Sequence, residues 1–348
     1  MIRVGIVGCG YWGPNLVRTF AEIEGAQLVT VSDLRSGRLD FVRRRHPLLK
    51  TTIDASDVLS DSTIDAVIIA TPPDTHYALA TQALNNGKHV FLEKPLATSV
   101  SDAEKIVDLA ERAHRTLIVG HLFLYAPAVM QIRSLLQSGE LGAIHYISST
   151  RANLGPPKPK IDVLWDLAPH DLSIILDLMN DSPIEVVAQG ASFTHADLAD
   201  TVFLTLRFSD GRLAHIHVSW LTPNKIRLLQ VVCSRGVAVY DDVQPVHKVQ
   251  VHRPGIDNRP QAGDSDAMAL SYGPGGMWAP PLQTDEPLRL ECKDFIESIV
   301  SGRRPLSNGQ RGLEVVRILE RASYSLRHSG KIVSAGTPEI SEAAGARL

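Results

Sequence analysis

The chain has 348 residues, room for about two domains of ordinary size, and its 44% apolar and 21% charged residues are a globular balance. With 35 Lys and Arg against 38 Asp and Glu, the net charge of -3 excludes bulk electrostatic binding to nucleic acid or an anionic membrane. No apolar run nears the ~18 residues that span a bilayer. Three scattered cysteines, Cys9, Cys233 and Cys292, form neither a disulfide framework nor a metal-ligand spacing. The first residues read as a strand rather than a signal peptide, so a cytoplasmic globular protein is expected.

In chain order, short apolar runs at 4–7, 28–31, 66–70, 90–92 and 117–119 alternate with amphipathic stretches at 14–24, 36–45, 75–86 and 99–113. Continuous apolar runs fit parallel strands covered on both faces. Their alternation with helices predicts a doubly wound α/β domain over residues 1–122. Ser99, three residues before Asp102, predicts a helix cap.

The first strand–helix turn reads Gly8-Cys9-Gly10-Tyr11-Trp12-Gly13, and Asp33 lies 20 positions past its last glycine. That context points to a dinucleotide. Gly8 permits the tight turn, Gly10 lets a pyrophosphate approach, and Gly13 lets helix and strand pack closely. Tyr11 and Trp12 belong to the same loop, and the helix N-terminus faces the phosphates. Asp33 accepts the ribose hydroxyls of NAD. A 2′-phosphate at ~4 Å would cost about 4 kcal/mol per unit charge at an effective dielectric of ~20, so NAD is expected over NADP. Arg35 is placed along the adenine. Thr71-Pro72-Pro73-Asp74-Thr75-His76 and Glu93-Lys94-Pro95 follow two further strands at their carboxyl ends, where open α/β sheets bind ligands. Thr71, Pro72, His76, Glu93 and Lys94 therefore join the expected cofactor contacts.

The glycine turn, the T-P-P-x-x-H turn and the E-K-P turn at these distances resemble the Gfo/Idh/MocA oxidoreductase family. The resemblance extends to Gly120-His121, to Trp165-Asp166-Leu167-Ala168-Pro169-His170-Asp171, to Glu291-Cys292-Lys293-Asp294-Phe295 and to a helix at 309–323, covering residues 1–333. It implies a Rossmann domain followed by an α/β domain with an open, mostly antiparallel sheet that makes the substrate cleft and often an oligomer interface. It also implies NAD(P)-dependent oxidation of a sugar or cyclitol hydroxyl, or the reverse. The family's lysine carries over onto Lys94 and its Asp/His pair onto Asp166 and His170. Those residue types suit the chemistry. A neutral imidazole takes the hydroxyl proton as the C–H bond breaks. A carboxylate four residues earlier shares its helix face and orients it. An ammonium hydrogen-bonds the reacting oxygen.

Past Gly120 the pattern changes to a helix at 128–138 and strands at 143–151, 184–192, 201–208, 212–220, 226–233 and 237–240, with Ser209-Asp210-Gly211 as a hairpin turn. This predicts a second domain over 123–333 and a frayed tail over 334–348. Imperfect alternation in 201–206 suggests one sheet face buried in a homodimer or homotetramer. Arg151 and Asn153 are expected to bind substrate hydroxyls or an anion, with Trp165 and Tyr125 in the same cleft. Lys158 and Lys160, in a proline-rich loop, are candidates for a diphosphate. The segment 253–287 is expected to close over the substrate or reach a neighbouring subunit. Helices are expected at 288–300 and 313–326. His215 and His217 share a strand face but lack a third ligand at a recognisable spacing, so no metal is expected.

The R-x-N-L-G and W-D-L-A-P-H-D stretches look like family members acting on UDP-amino sugars. The expected substrate is therefore a sugar, most specifically a nucleotide sugar oxidised at C3 of its ring. A 3-ketosugar reductase, a cyclitol dehydrogenase and a non-catalytic dinucleotide sensor are the alternatives.

Overall fold

A computed structural model describes residues 1–155, 161–194, 198–253, 255–257, 271–273 and 276–335. The chain forms two compact units, one of Met1–Ala126 and Asp285–Arg321, the other of Pro127–Thr284 and Ala322–Gly336. The expected second domain ran over 123–333, with a tail over 334–348; by contacts, residues 285–321 group with the first unit.

The first unit is built on strands β1 (Ile2–Val7), β2 (Ala26–Ser32), β3 (Lys50–Thr52), β4 (Ala66–Ile69), β5 (His89–Leu92) and β6 (Leu117–Val119), all parallel, in the order β3-β2-β1-β4-β5-β6. Helices α1 (Gly13–Glu22), α2 (Ser36–Arg45), α3 (Ser56–Leu59), α4 (His76–Asn85) and α5 (Val100–Arg112) connect them. The four residues of β4, Ala-Val-Ile-Ile, are all buried, as a strand covered on both faces demands. The expected cap is present: the Asp102 N–H donates to Ser99 Oγ at 3.1 Å. The strand order reverses between β1 and β4, and the crevice at such a reversal is where open sheets bind ligands. Phe91 on β5 meets Phe20 edge-on at 6.2 Å and Phe295 at 5.9 Å. Phe295 comes from α8 (Pro287–Ser301), so the core of this unit is completed from late in the sequence.

The second unit holds α6 (Pro127–Gln137), β7 (Ile144–Ala152), α7 (Val163–Met179), β8 (Glu185–Ala191), β9 (Thr201–Arg207), β10 (Leu213–Ser219), β11 (Ile226–Cys233), β12 (Val237–Asp241) and β13 (Val249–His252). A two-stranded pair, β14 (Gly255–Asp257) and β15 (Ser271–Gly273), stands apart. The strands β16 (Met277–Trp278) and β17 (Val333–Ser334) close a nine-stranded sheet in the order β16-β13-β12-β11-β7-β10-β9-β8-β17. Within this sheet, among the described residues, only β7 and β10 pair in parallel. The division between the units falls within α9 (Gly309–Arg327).

The predicted hairpin joins β9 to β10, with Gly211 at φ +88° and its N–H on the Phe208 carbonyl at 3.1 Å. Along β9, Val202, Leu204 and Leu206 face inward and Phe203 outward, a cleaner alternation than the sequence suggested. Helix α7 packs on β7, β9 and β10 and buries 15 of its 17 residues. Asp162 caps it by accepting the Trp165 N–H at 3.0 Å. No described helix is long and apolar enough to cross a membrane.

Candidate active site

The carboxyl ends of the parallel strands carry the predicted cofactor residues. Gly8 ends β1 at φ +99°, and a Cβ there would lie 2.4 Å from the Ala70 carbonyl oxygen, so only glycine fits. A Cβ on Gly13 would lie 2.7 Å from the Gly8 oxygen, which is the close helix–strand contact expected of it. Gly10, between them, is half-buried at the turn. Pro14 stands in the first turn of α1, and no side chain caps that end of the helix. Its open N–H groups and positive dipole end suit a pyrophosphate. Tyr11 is 95% exposed beside them.

Asp33 follows β2 and is buried. Its carboxylate accepts the Cys9 N–H at 2.8 Å and the Arg35 N–H at 2.9 Å, and the Arg38 guanidinium lies 3.5 Å away. Burial opposes this charge, but the two backbone donors and Arg38 outweigh it and hold Asp33 below the usual carboxylate range. A carboxylate has about four acceptor positions, so room remains for ribose hydroxyls. Arg35, largely exposed, stands 3.9 Å from the same carboxylate. An uncapped helix end, a glycine turn and an ionised acid one strand away fit NAD.

The two remaining turns behave differently. Thr71 Oγ1 and Thr75 Oγ1 share a hydrogen bond of 2.7 Å, and Pro72 is exposed. His76, expected at the cofactor, is fully buried instead. Its Nδ1 lies 2.8 Å from the Pro95 carbonyl and its Nε2 3.0 Å from that of Thr71. It braces the T-P-P turn against the E-K-P turn from beneath, and burial lowers its pKa. Glu93 also turns inward: its carboxyl accepts from the Trp12 side chain and, at 3.2 Å, from the Lys94 N–H. Trp12 thus braces the same turn. Lys94 stands half-buried at the end of β5, and its peptide bond to Pro95 is cis.

In the second unit, Asp166 and His170 lie one helical turn apart on α7. Asp166 is buried and accepts from Trp220 Nε1 at 3.3 Å, while His170 is half-buried. Three residues expected at the substrate have partners in the core. Arg151 is buried, with Nε 2.6 Å from Asp171, whose carboxylate also accepts from Ser149 Oγ at 2.6 Å. A charge enclosed in this way must be paired, and Asp171 pairs it. Trp165 is buried, and its indole N–H donates to Ser323 Oγ at 2.9 Å. Tyr125, in the first unit, is buried, donates to Asp294 at 2.6 Å, and lies 3.2 Å from Ser307 Oγ. All three are core polar braces. Tyr125→Phe is accordingly expected to cost about 1–3 kcal/mol of stability, because Asp294 and the Ser307 N–H lose a buried partner. Chemical denaturation checks this, with substrate KM expected to hold.

Asn153 remains half-buried at the end of β7, its N–H on the Ser219 carbonyl at 3.1 Å. Lys158 and Lys160 lie outside the described residues, as do 254, 258–270 and 274–275 of the segment 253–287 and the tail from 336. His215 and His217 flank Phe203 in a ring stack, at 6.2 and 4.4 Å. Among the described residues, no three His, Cys, Asp or Glu side chains gather as metal ligands.

Two groups escaped the sequence reading. Asp171 stands directly after His170 in the same run. Glu291 sits among Leu288, Cys292 and Phe295 at helical spacing. A carboxylate on the apolar face of a helix was the signal.

Two family models match: residues 2–121 fit "Oxidoreductase family, NAD-binding Rossmann fold", and residues 129–239 fit the GFO/IDH/MocA C-terminal domain. The UDP-N-acetylglucosamine 3-dehydrogenase of Acidithiobacillus ferrooxidans is 28% identical over 90% of this chain and 94% of its own. Its solved structure superimposes with a TM-score of 0.80 at 25% identity, covering 94% of this chain and 98% of that one. A solved chain from Magnetospirillum magnetotacticum MS-1 is 32% identical, with a TM-score of 0.79 over 92% of this chain and 99% of that one. The myo-inositol 2-dehydrogenase of Thermotoga maritima is 23% identical over 95% and 98% of the two chains. With both halves matched and the nucleotide turn formed as such a cofactor requires, the chain belongs to the Gfo/Idh/MocA oxidoreductase family and uses NAD.

Proposed function

We propose that the protein oxidises a ring secondary hydroxyl of a sugar with NAD, and that the sugar is a nucleotide sugar of the UDP-amino-sugar type attacked at C3. The observation that carries the reading is Lys94, a half-buried amine at the carboxyl end of β5 in the sheet that holds the nucleotide turn. Likeness to the Acidithiobacillus enzyme along nearly the whole chain supports the choice of sugar. NAD, when bound, takes up the two electrons that leave the carbinol carbon. The chain supplies the rest. The Lys94 ammonium hydrogen-bonds the substrate oxygen and stabilises the negative charge that grows there. His170 takes the hydroxyl proton as a neutral imidazole, a step that contributes ~10²–10⁴ in rate. Asp166, one turn earlier and held by Trp220, orients that ring.

The test is the near-ultraviolet absorbance of NADH formed from NAD with a panel of UDP-amino sugars, UDP-sugars, free sugars and cyclitols. The UDP-amino sugars are expected to give the highest kcat/KM. A cyclitol in first place moves the assignment to cyclitol oxidation. Binding of NAD with no turnover on any member replaces the enzyme with a dinucleotide sensor.

We also propose that the protein is a homo-oligomer joined through the outer face of its large sheet. Tyr146 on β7, Phe203 on β9 and Leu213 on β10 stand exposed there, and aromatic residues of this kind anchor interfaces. Phe203→Glu is expected to shift sedimentation toward monomer by at least ~10-fold in Kd, from one desolvated charge per copy. An unchanged oligomer rules out this face.

A further inference from the structure

Asp166 lies on a helix, but the indole that meets its carboxylate comes from the end of a strand. Trp220 follows β10 and is buried, with its Nε1 donating to Asp166 Oδ2 at 3.3 Å. Its main chain is held on both sides. The Trp220 N–H donates to the Asp200 carbonyl at 2.9 Å, and the Trp220 carbonyl accepts the Gly155 N–H at 3.3 Å. Gly155 also sits against the ring, where an added Cβ would lie 3.6 Å from Trp220 Cδ1.

The carbonyl just before that of Asp200 belongs to Ala199, and it accepts the N–H of Val163, the first residue of α7, at 3.0 Å. Two consecutive peptide groups therefore tie down the first turn of the helix that carries Asp166 and the residue that carries its donor. The corner they form is braced from within. Asp200 is 1% exposed, and its Oδ2 accepts the Phe193 and Thr194 N–H groups, both at 2.8 Å, and the Thr194 hydroxyl at 3.0 Å. Its own N–H donates to the Ala191 carbonyl at 3.0 Å. Bonds to an ionised acceptor are about twice as strong as neutral ones, so a carboxylate stiffens this corner more than a neutral side chain would. The Asp200 Oδ1 is buried without a hydrogen-bond partner, a cost that a surface turn would not carry.

We propose that Asp200 and Trp220 are positioning residues for the proton-transfer pair: the Ala199–Asp200 corner sets the indole, and the indole fixes the Asp166 carboxylate that orients His170. The inference rests on the roles given to Asp166 and His170 under the proposed function. It deepens them by tracing their alignment to a second buried carboxylate, whose own bonds go to Phe193 and Thr194.

Kinetics and magnetic resonance test it together. Trp220→Phe keeps an aromatic ring and removes the N–H. It is expected to lower kcat about tenfold with KM held within about twofold, and to raise the solvent deuterium isotope effect on kcat as proton transfer becomes the slow step. Asp200→Ala is expected to lower kcat about fivefold, and Asp200→Asn, which keeps one carbonyl oxygen for the Phe193 and Thr194 N–H groups, to recover most of that loss. The chain has four tryptophans, and the indole N–H resonance missing from Trp220→Phe belongs to Trp220. That resonance is expected to move upfield in Asp166→Asn. In Asp200→Ala it is expected to move while the Trp165 indole, held by Ser323, stays. Unchanged kcat in Trp220→Phe, a loss of kcat with no larger isotope effect, or an Asp200→Ala spectrum in which all the indole resonances shift alike overturns the proposal. Should Asp200→Ala fail to fold, Asp200→Asn is expected to move the Trp220 resonance by a smaller amount, and a resonance that stays put overturns the role of Asp200. Full turnover in His170→Asn removes the histidine from the chemistry instead, while the resonances still decide whether Asp200 sets the indole against Asp166.

Discussion

Lys94→Met is expected to lower kcat by ~10²–10³, the usual loss when one preorganised donor to a developing oxyanion is removed, while leaving NAD affinity within about threefold. Methionine keeps the length and the apolar stem, so the substitution removes a charge and little else. Its site favours a clean result. The backbone of the turn is held from below by His76 at the Pro95 carbonyl and by the Lys94 N–H on Glu93, and neither contact uses the lysine side chain. The groups proposed for the cofactor, the glycine turn and Asp33, stand at other strand ends. Rapid-mixing turnover and calorimetric NAD titration of the same preparation check the two halves separately. An equal loss in both makes the lysine a cofactor contact and removes it from the chemistry.

The second large effect is on cofactor choice. Asp33→Asn is expected to move the NADP-to-NAD ratio of kcat/KM by about 10², or ~3 kcal/mol. The full charge–charge cost at ~4 Å is about 4 kcal/mol at an effective dielectric of ~20. It is somewhat reduced here because Arg35 and Arg38 already stand within 4 Å of the carboxylate. Released from Asp33, both guanidinium groups become available to a 2′-phosphate. Asparagine keeps one carbonyl oxygen for the Cys9 or Arg35 N–H, so the turn is perturbed less than by alanine. A ratio that stays where it was confines Asp33 to bracing the loop.

What could be read from the sequence was local. Gly8, Gly13 and Asp33 declare themselves because a tight turn, a close helix–strand contact and an acid at a strand end each need one residue type at one spacing. The strands 66–70 and 90–92 were visible as unbroken apolar runs. The edge strand β3, Lys50-Thr51-Thr52, was missed because an edge needs no apolar run. His76, Tyr125, Arg151 and Trp165 were read as ligand contacts because polar and aromatic residues near motifs usually face solvent or substrate. Their burial depends on partners far away in sequence, such as Asp294 for Tyr125 and Ser323 for Trp165. No local pattern carries that information. The return of α8 to the first unit was hidden for the same reason. Its apolar face fits any core, and distant contacts such as Phe295 with Phe91 and Asp294 with Tyr125 decide which.

That return has a consequence for biosynthesis. When the ribosome has finished Ala126, the nucleotide-binding sheet still lacks Phe295 against Phe91 and a carboxylate for the Tyr125 hydroxyl. Both arrive only after the whole of Pro127–Thr284 has been made. At ~5–20 residues per second, the nascent half waits on the order of ten seconds with an aromatic cleft open to solvent. A fragment stopped at residue 126 keeps that cleft for good, and is expected to need a holding chaperone or to aggregate, however complete its strands are.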